Sequence, residues 1–260
     1  MSALVEVAIA EGVATLTLNN PPLNLNSIAM TNAIAAAVLR LRADDAVKVL
    51  VLTGAGEKAF CAGSDIKEMR RMRDQGTPIE VKLQLENDTF TAIDEFPKAT
   101  ICHLNGLAFG GGLELALCCD LIVAEAQVSL GLPEILLGTY PGSGGTIRAP
   151  RRIGEGRAKQ LIYLGEPISA QTALEWGLIN YIAPKGTGAA FTRALAFKLA
   201  QRPVNAIGLA KQSIDDSFHY ADTDTIPRLL QGQVEAFRHP NAVEGMLAFA
   251  EKRPARFDRS

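Results

Sequence analysis

Residues 101–120, ICHLNGLAFGGGLELALCCD, lead from an apolar strand through three consecutive glycines, Gly110, Gly111 and Gly112, into an apolar helix. Glycine lets the backbone approach a ligand closely and adopt conformations closed to other residues. The helix that follows turns its unpaired N–H groups and the positive end of its dipole toward whatever lies in front of it. Glu114 falls in the first helical turn among Leu113, Leu115, Ala116 and Leu117, a carboxylate in an apolar wall. Two readings stand on this stretch alone. Glu114 either only favours the helix start, or it moves a proton beside a loop of donors that steadies developing negative charge.

The flanking sequence repeats the theme. VKVLVLT (47–53) is a continuous apolar run, as in a strand buried on both faces. A small-residue loop, Ala62-Gly63-Ser64-Asp65, follows it and opens a charged helix at Ile66. Each of the two loops joins a buried strand to a helix and is placed to offer one backbone N–H. Two such N–H groups converging on one oxygen form an oxyanion hole. A third segment, LPEILLGTYPGSGG (132–145), carries Glu134 after Pro133 and before Ile135, Leu136 and Leu137. A surface glutamate seldom has such neighbours. Paired carboxylates in one pocket divide the labour, one accepting a proton and one donating it.

Around these motifs, alternation predicts strands at Val5–Ile9 and Val13–Leu18 with a turn at Glu11–Gly12, and Ser27 caps a helix. Further strands are expected at 121–124, near Val128 and at 179–183. Helices are expected at 146–153, 156–164 and 169–176. From about Thr192 the pattern is wholly helical (194–201, 204–218, 225–237 and 242–251), which divides the chain into a mixed α/β part, 1–195, and a helical part, 196–260.

With 260 residues, 48% of them hydrophobic, the chain has enough apolar material for one large core or a core with an appendage. A net charge of -2 argues against nucleic acid or an anionic membrane as partner. The first residues carry Glu6 and Glu11 and lack a basic region, unlike a signal peptide. No uncharged apolar run approaches about 18 residues, the length of a membrane span. Cys61, Cys102, Cys118 and Cys119 have no CxxC spacing and read as reduced core residues of a cytoplasmic protein. His103, His219 and His239 lack metal-site spacing, so no metal is expected, and His103 reads as a core histidine. Gly142-Ser143-Gly144-Gly145-Thr146-Ile147 lacks the last glycine of a dinucleotide fingerprint, and no P-loop is present. Pro141 stands where a nucleophile elbow around Ser143 needs glycine. Acid–base chemistry at carboxylates remains.

KAFCAGSDIKEM (58–69), NGLAFGGGLELALCCD (105–120) and PEILLGTYPGSGGT (133–146), in this order, resemble the crotonase, or enoyl-CoA hydratase/isomerase, superfamily. The similarity runs from NPPLN (20–24) to EGMLAFAEKRPARF (244–257). It implies an α/β fold, a spiral of ββα units, followed by a helical C-terminal region that packs trimers, often paired into hexamers. It also implies an acyl-CoA thioester as substrate, with coenzyme A as part of it and no separate cofactor. By the same resemblance Ser64 and Gly111 give the two oxyanion N–H groups, and Glu114 and Glu134 hold one water for addition across a 2,3-double bond. Glu114 acts as base, Glu134 delivers the proton to C2, and the backbone of Gly142 faces that water. CoA contacts fall to Leu23, Lys58, Ala62 and Ile66, with Lys58 near the phosphates.

The chain departs from the pattern at three places. Ser64 stands where many relatives have alanine, Tyr140 where many hydratases have an aliphatic residue, and Leu132 where glutamine is common. Both glutamates together favour hydration over double-bond isomerisation. Thioester hydrolysis, C–C cleavage and a non-catalytic CoA-ester-binding role are the alternatives. The apolar positions between Thr192 and Phe257, among them Ile214, Leu229, Phe237 and Phe249, exceed what a finished core needs. A closed homo-oligomer is therefore expected.

Overall fold

One strand–strand–helix unit, repeated along the chain, builds two sheets at once. In the computed structural model, which describes residues 3–257, Val5–Ala10 (β1) and Val13–Leu18 (β2) form an antiparallel pair, and α1 (Ile28–Arg42) follows. The first unit holds Val49–Gly54 (β3), Ala59–Cys61 (β4), Ile66–Asp74 (α2) and Glu80–Asp94 (α3). The second holds Ala99–Leu104 (β5), Leu107–Phe109 (β6) and Gly111–Ala116 (α4). The third holds Leu121–Glu125 (β7), Ser129–Gly131 (β8), a 3-10 turn at Pro133–Leu137 and Gly145–Leu164 (α5). Ile168–Ser169 (β9), Ala170–Trp176 (α6) and Tyr181–Ala183 (β10) complete the mixed part.

The first strand of each unit joins a six-stranded sheet, β1-β2-β3-β5-β7-β10, and the second joins a four-stranded sheet, β4-β6-β8-β9. Equivalent strands of successive units lie side by side and parallel, β3 to β5 to β7 and β4 to β6 to β8. That is the ββα spiral the resemblance implies.

Burial follows from this arrangement. Leu50, Leu52, Cys102, Leu104 and Ile122 face a core shared with Leu16, Phe60, Phe90 and Ile93. Val49, Val51, Ala99, Ile101 and Val123 face the other way, against Ala196 and Ala200 of Gly188–Ala200 (α7). Covered on both faces, β3 opens on an unbroken apolar run, Val49–Leu52, and β5 is buried throughout, with only Thr100 and His103 polar. Each fully buried large apolar side chain contributes about 1.5–3 kcal/mol.

Several elements differ from the expectation. The apolar segment through Cys119 holds a helix of six residues only, α4, ending at Ala116. Pro133, Glu134 and Ile135 lie in the 3-10 turn and not at the end of a strand. The two helices expected between 146 and 164 follow one another across a break at Gly154, whose φ of 75° no helix allows. The helix expected at 194 begins at Gly188 and packs on the large sheet, so the change of pattern near 195 falls inside α7. The last three helices are Val204–His219 (α8), Asp222–Arg238 (α9) and Pro240–Ala250 (α10). They expose Ile214, Leu229, Phe237, Met246 and, at 88%, Phe249. Among the described residues no helix is long and apolar enough to cross a membrane, and the four cysteines are free and buried.

Candidate active site

The loops that leave β4 and β6 in the smaller sheet pack against each other. Gly110 takes φ +51°, which glycine accepts easily, and turns the chain into α4. Behind it, a Cβ added at Gly112 would lie 2.1 Å from the Cys61 carbonyl, so only glycine lets α4 sit this close to β4. The two loops place Ser64 next to Gly111: a Cβ built on Gly111 would stand 3.3 Å from Ser64 Oγ and 3.7 Å from Ser64 N. Asn26 brackets Ser64, donating its N–H to Gly63 O (2.9 Å) and accepting from Asp65 N (3.2 Å). Asp65 in turn caps α2 through Lys67 N and Glu68 N. Among the described residues the N–H groups of Ser64 and Gly111 have no hydrogen-bond acceptor, and an oxygen acceptor is what such a pair can hold.

Glu114 lies one turn into α4, 2% exposed. Its Oε1 accepts from the backbone N–H of Ser143 and of Gly145, both at 2.8 Å. Burial pushes its pKa up to about 7; the two amides oppose that rise, and the charges of Glu134 and Glu86 add to it. Glu134 stands on the other side of Gly110, where an added Cβ would come within 2.9 Å of Glu134 Oε1. Burial raises the pKa of Glu134 as well. Its Oε2 is buried and, among the described residues, has no hydrogen-bond partner. Two carboxylates with raised proton affinity thus face one loop, the arrangement that general acid–base chemistry requires. Cys61, beside the loop, is not a nucleophile: burial pushes its thiol up to about 12.

The structure therefore gathers Ser64, Gly111, Glu114 and Glu134. Gly142 lies beside them, but its carbonyl is taken by Asn87 Nδ2 at 2.9 Å, and the amides that reach Glu114 belong to Ser143 and Gly145. Leu23 and Ala62 are joined by an N–H to carbonyl bond of 3.0 Å, and Ile66, at the start of α2, is exposed. Lys58 is exposed just before β4. Tyr140 and the Leu136–Leu137 pair are also exposed. His103 is a core residue, 3.1 Å from Thr53 Oγ1 and 3.6 Å from Glu125 Oε1, and burial lowers its pKa. A cavity of about 460 Å³ beneath α8, reaching Asp120, Arg152, Lys211 and Phe218, holds none of the site residues.

Sequence reasoning missed Glu86. It sits on α3, 1% exposed, with the equally buried Lys82 one turn before it. Together with Asn26, Ser64 and Ser143 they form a polar cluster under the site. The available signal was the spacing 82, 86, 89, 90 and 93, one helical face that also carries Phe90 and Ile93.

Comparison with known proteins gives the same direction. The enoyl-CoA hydratase/isomerase family profile matches residues 8–260. The crotonyl-CoA hydratase of Syntrophomonas wolfei is 35% identical, with 95% of each chain covered. The short-chain-enoyl-CoA hydratase of Clostridium acetobutylicum is also 35% identical, over 93% of this chain and 92% of that one. The crystal structure of an enoyl-CoA hydratase from Bacillus anthracis superposes with a TM-score of 0.94 at 34% identity, over 99% of this chain and 100% of that one.

Proposed function

The chain belongs to the enoyl-CoA hydratase/isomerase family, and from that premise we propose that it catalyses the reversible addition of water to 2-enoyl-CoA thioesters, giving 3-hydroxyacyl-CoA. One observation carries this reading: a buried and a half-buried carboxylate, both of raised pKa, flank the loop that presents the two unpartnered amides.

The thioester oxygen binds between the N–H groups of Ser64 and Gly111, which polarise the carbonyl and stabilise the enolate-like charge as water adds. A water held between Glu114 and Glu134 attacks C3. Glu114 takes one proton from it as the C–O bond forms, and Glu134 delivers a proton to C2. Glu114 Oε1 receives two amide N–H groups, which favour its ionised form. Glu134 Oε2 receives none, so covering by the acyl chain favours the protonated form there. The dipole of α4 adds little, since the helix has six residues.

Coenzyme A enters as part of the substrate, along Leu23, Lys58, Ala62 and Ile66, and the reaction calls for no further cofactor or metal. The exposed apolar faces of α8 to α10 are covered by other copies of the chain in a trimer or a pair of trimers, and the protein works in the cytoplasm.

The test is turnover of crotonyl-CoA, followed by loss of the conjugated thioester absorbance and by mass of the hydrated product. A panel of short, branched and aromatic enoyl-CoAs extends it. A folded protein that binds these thioesters and hydrates none of them refutes the proposal.

A further inference from the structure

We propose that Glu86, held by Lys82, is a positioning residue for the hydratase site, tying the Ser64 loop and the Ser143 loop into one unit beneath the two catalytic glutamates. The inference rests on the reading of Glu114 as the base.

The geometry is closed at every oxygen. Glu86 Oε1 accepts from Asn26 Nδ2 at 2.9 Å and Ser64 Oγ at 3.3 Å, and lies 2.9 Å from Lys82 Nζ. Its Oε2 accepts from Ser143 Oγ at 2.7 Å. Lys82 Nζ also donates to the Asn26 carbonyl at 2.7 Å and stands 3.5 Å from Glu68 Oε2. The same Ser143 gives its backbone N–H to Glu114. One carboxylate therefore spans from the residue of the first oxyanion amide to the residue that holds the base. These bonds bridge 22, 57 and 60 positions of sequence, to Ser64, Ser143 and Asn26.

Stability alone does not account for the pair. Lys82 and Glu86 are each 1% exposed. Withdrawing two charges from water costs as much as their attraction returns, and apolar side chains of similar volume often serve a core better. Thr89, Phe90 and Ile93 of the same helical face are packed without charge.

Glu86 also acts on Glu114 through its field. Among the described residues, Glu134, Glu86, Arg148 and Cys118 are the ionisable groups that face Glu114, with Lys82 and Glu68 behind Glu86 and Asp94 behind Arg148. The Glu86 charge raises the proton affinity of Glu114. Neutralising it favours the ionised base at lower pH.

The experiment is the pH profile of kcat/KM for crotonyl-CoA in wild type, Glu86→Gln, Glu86→Asp and Lys82→Gln. In Glu86→Gln the acid limb is expected to move to lower pH by about half to one unit. Its kcat falls about tenfold as the Ser143 loop loses its anchor, with KM within about threefold. Glu86→Asp keeps the charge and keeps the limb where wild type has it. Should Glu86→Gln fail to fold, Lys82→Gln answers instead: it changes the charge balance at Glu86 while Asn26, Ser64 and Ser143 keep their bonds to its carboxylate, and the limb leaves its wild-type place. A limb that stays in place in Glu86→Gln or Lys82→Gln, or one displaced equally in Glu86→Asp, overturns the inference. Carbon-13 NMR titration of the Glu114 carboxyl in the same proteins reads the shift without turnover. An inactive wild type would thus refute the hydratase reading, while the NMR shifts would still decide the role of Glu86.

Discussion

Replacing Glu114 by glutamine removes a charge that the fold holds against burial, and the consequence is measurable as stability as well as rate. In the folded chain burial sets the carboxyl near pKa 7, against an ordinary value of 4.5. A carboxyl whose folded pKa is raised contributes stability that is fully present below its unfolded pKa and lost as pH rises through the folded one. The pH window is therefore 4.5 to 7. At about 1.4 kcal/mol per unit, the wild type loses roughly 2–3 kcal/mol between pH 5 and pH 9 through this group.

Glutamine cannot ionise. It keeps an Oε1 that accepts from Ser143 N and Gly145 N, and it puts an NH₂ in place of Oε2. Whatever that NH₂ costs is independent of pH, so it cancels when the difference between variant and wild type is compared at two pH values. For a chain of this size about 2 °C in Tm corresponds to 1 kcal/mol. The Tm of Glu114→Gln relative to wild type should then rise by about 5 °C from pH 5 to pH 9, at fixed protein concentration. Its hydratase turnover should fall at least about 100-fold, as expected for a general base. A Tm difference that is flat with pH would show that Glu114 ionises at an ordinary pH, and the electrostatic basis for its role would go with it.

Glu134→Gln should also lower turnover about 100-fold while acyl-CoA binding, measured by calorimetry, persists; near-normal turnover would remove it from the mechanism. Gly111→Pro deletes the second oxyanion N–H at a first helical position that proline fits, and should abolish turnover in a folded protein. Ser64→Ala keeps its N–H, loses only the 3.3 Å bond to Glu86, and should be mild; equal damage in both would give the Ser64 hydroxyl a chemical role. Gly112→Ala drives a Cβ to 2.1 Å from the Cys61 carbonyl and should cost about 1–3 kcal/mol or more, seen as a lowered Tm. Light scattering at micromolar concentration should give a trimer or hexamer; a single species of 27.7 kDa would mean that α8 to α10 leave their apolar faces in water.

The fold was most legible where burial acts on long segments. VLVLTG and ATICHL, covered on both faces, announce central parallel strands in composition alone. Their partners in the second sheet, Ala59–Cys61, Leu107–Phe109 and Ser129–Gly131, have three residues each, less than two full periods of a strand. Periodicity has nothing to act on there, and the two-sheet spiral came from the motifs. Gly154 shows the same limit from the other side. Its glycine marked the break between two helices, but not that the chain resumes helix directly across it.

Glu134 and Glu86 show why a site is harder to read than a fold. Glu134 was singled out because Ile135, Leu136 and Leu137 follow it, yet those side chains are 40%, 70% and 65% exposed. Its raised proton affinity comes instead from burial of the carboxyl itself, which lies beside Gly110 of the preceding unit. Glu86 went unread because Lys82 and Glu86 at i and i+4 are the ordinary mark of a solvated helix face. What distinguishes them is register: they share a face with Phe90 and Ile93, so either the charges are buried or the phenylalanine is not. The partners that make the buried choice tolerable, Asn26, Ser64 and Ser143, arrive from three loops that only the turns of the spiral bring together. A charged pair in apolar register is thus a signal that a helix faces a polar site, and here that site lies beneath the two glutamates on which the chemistry turns.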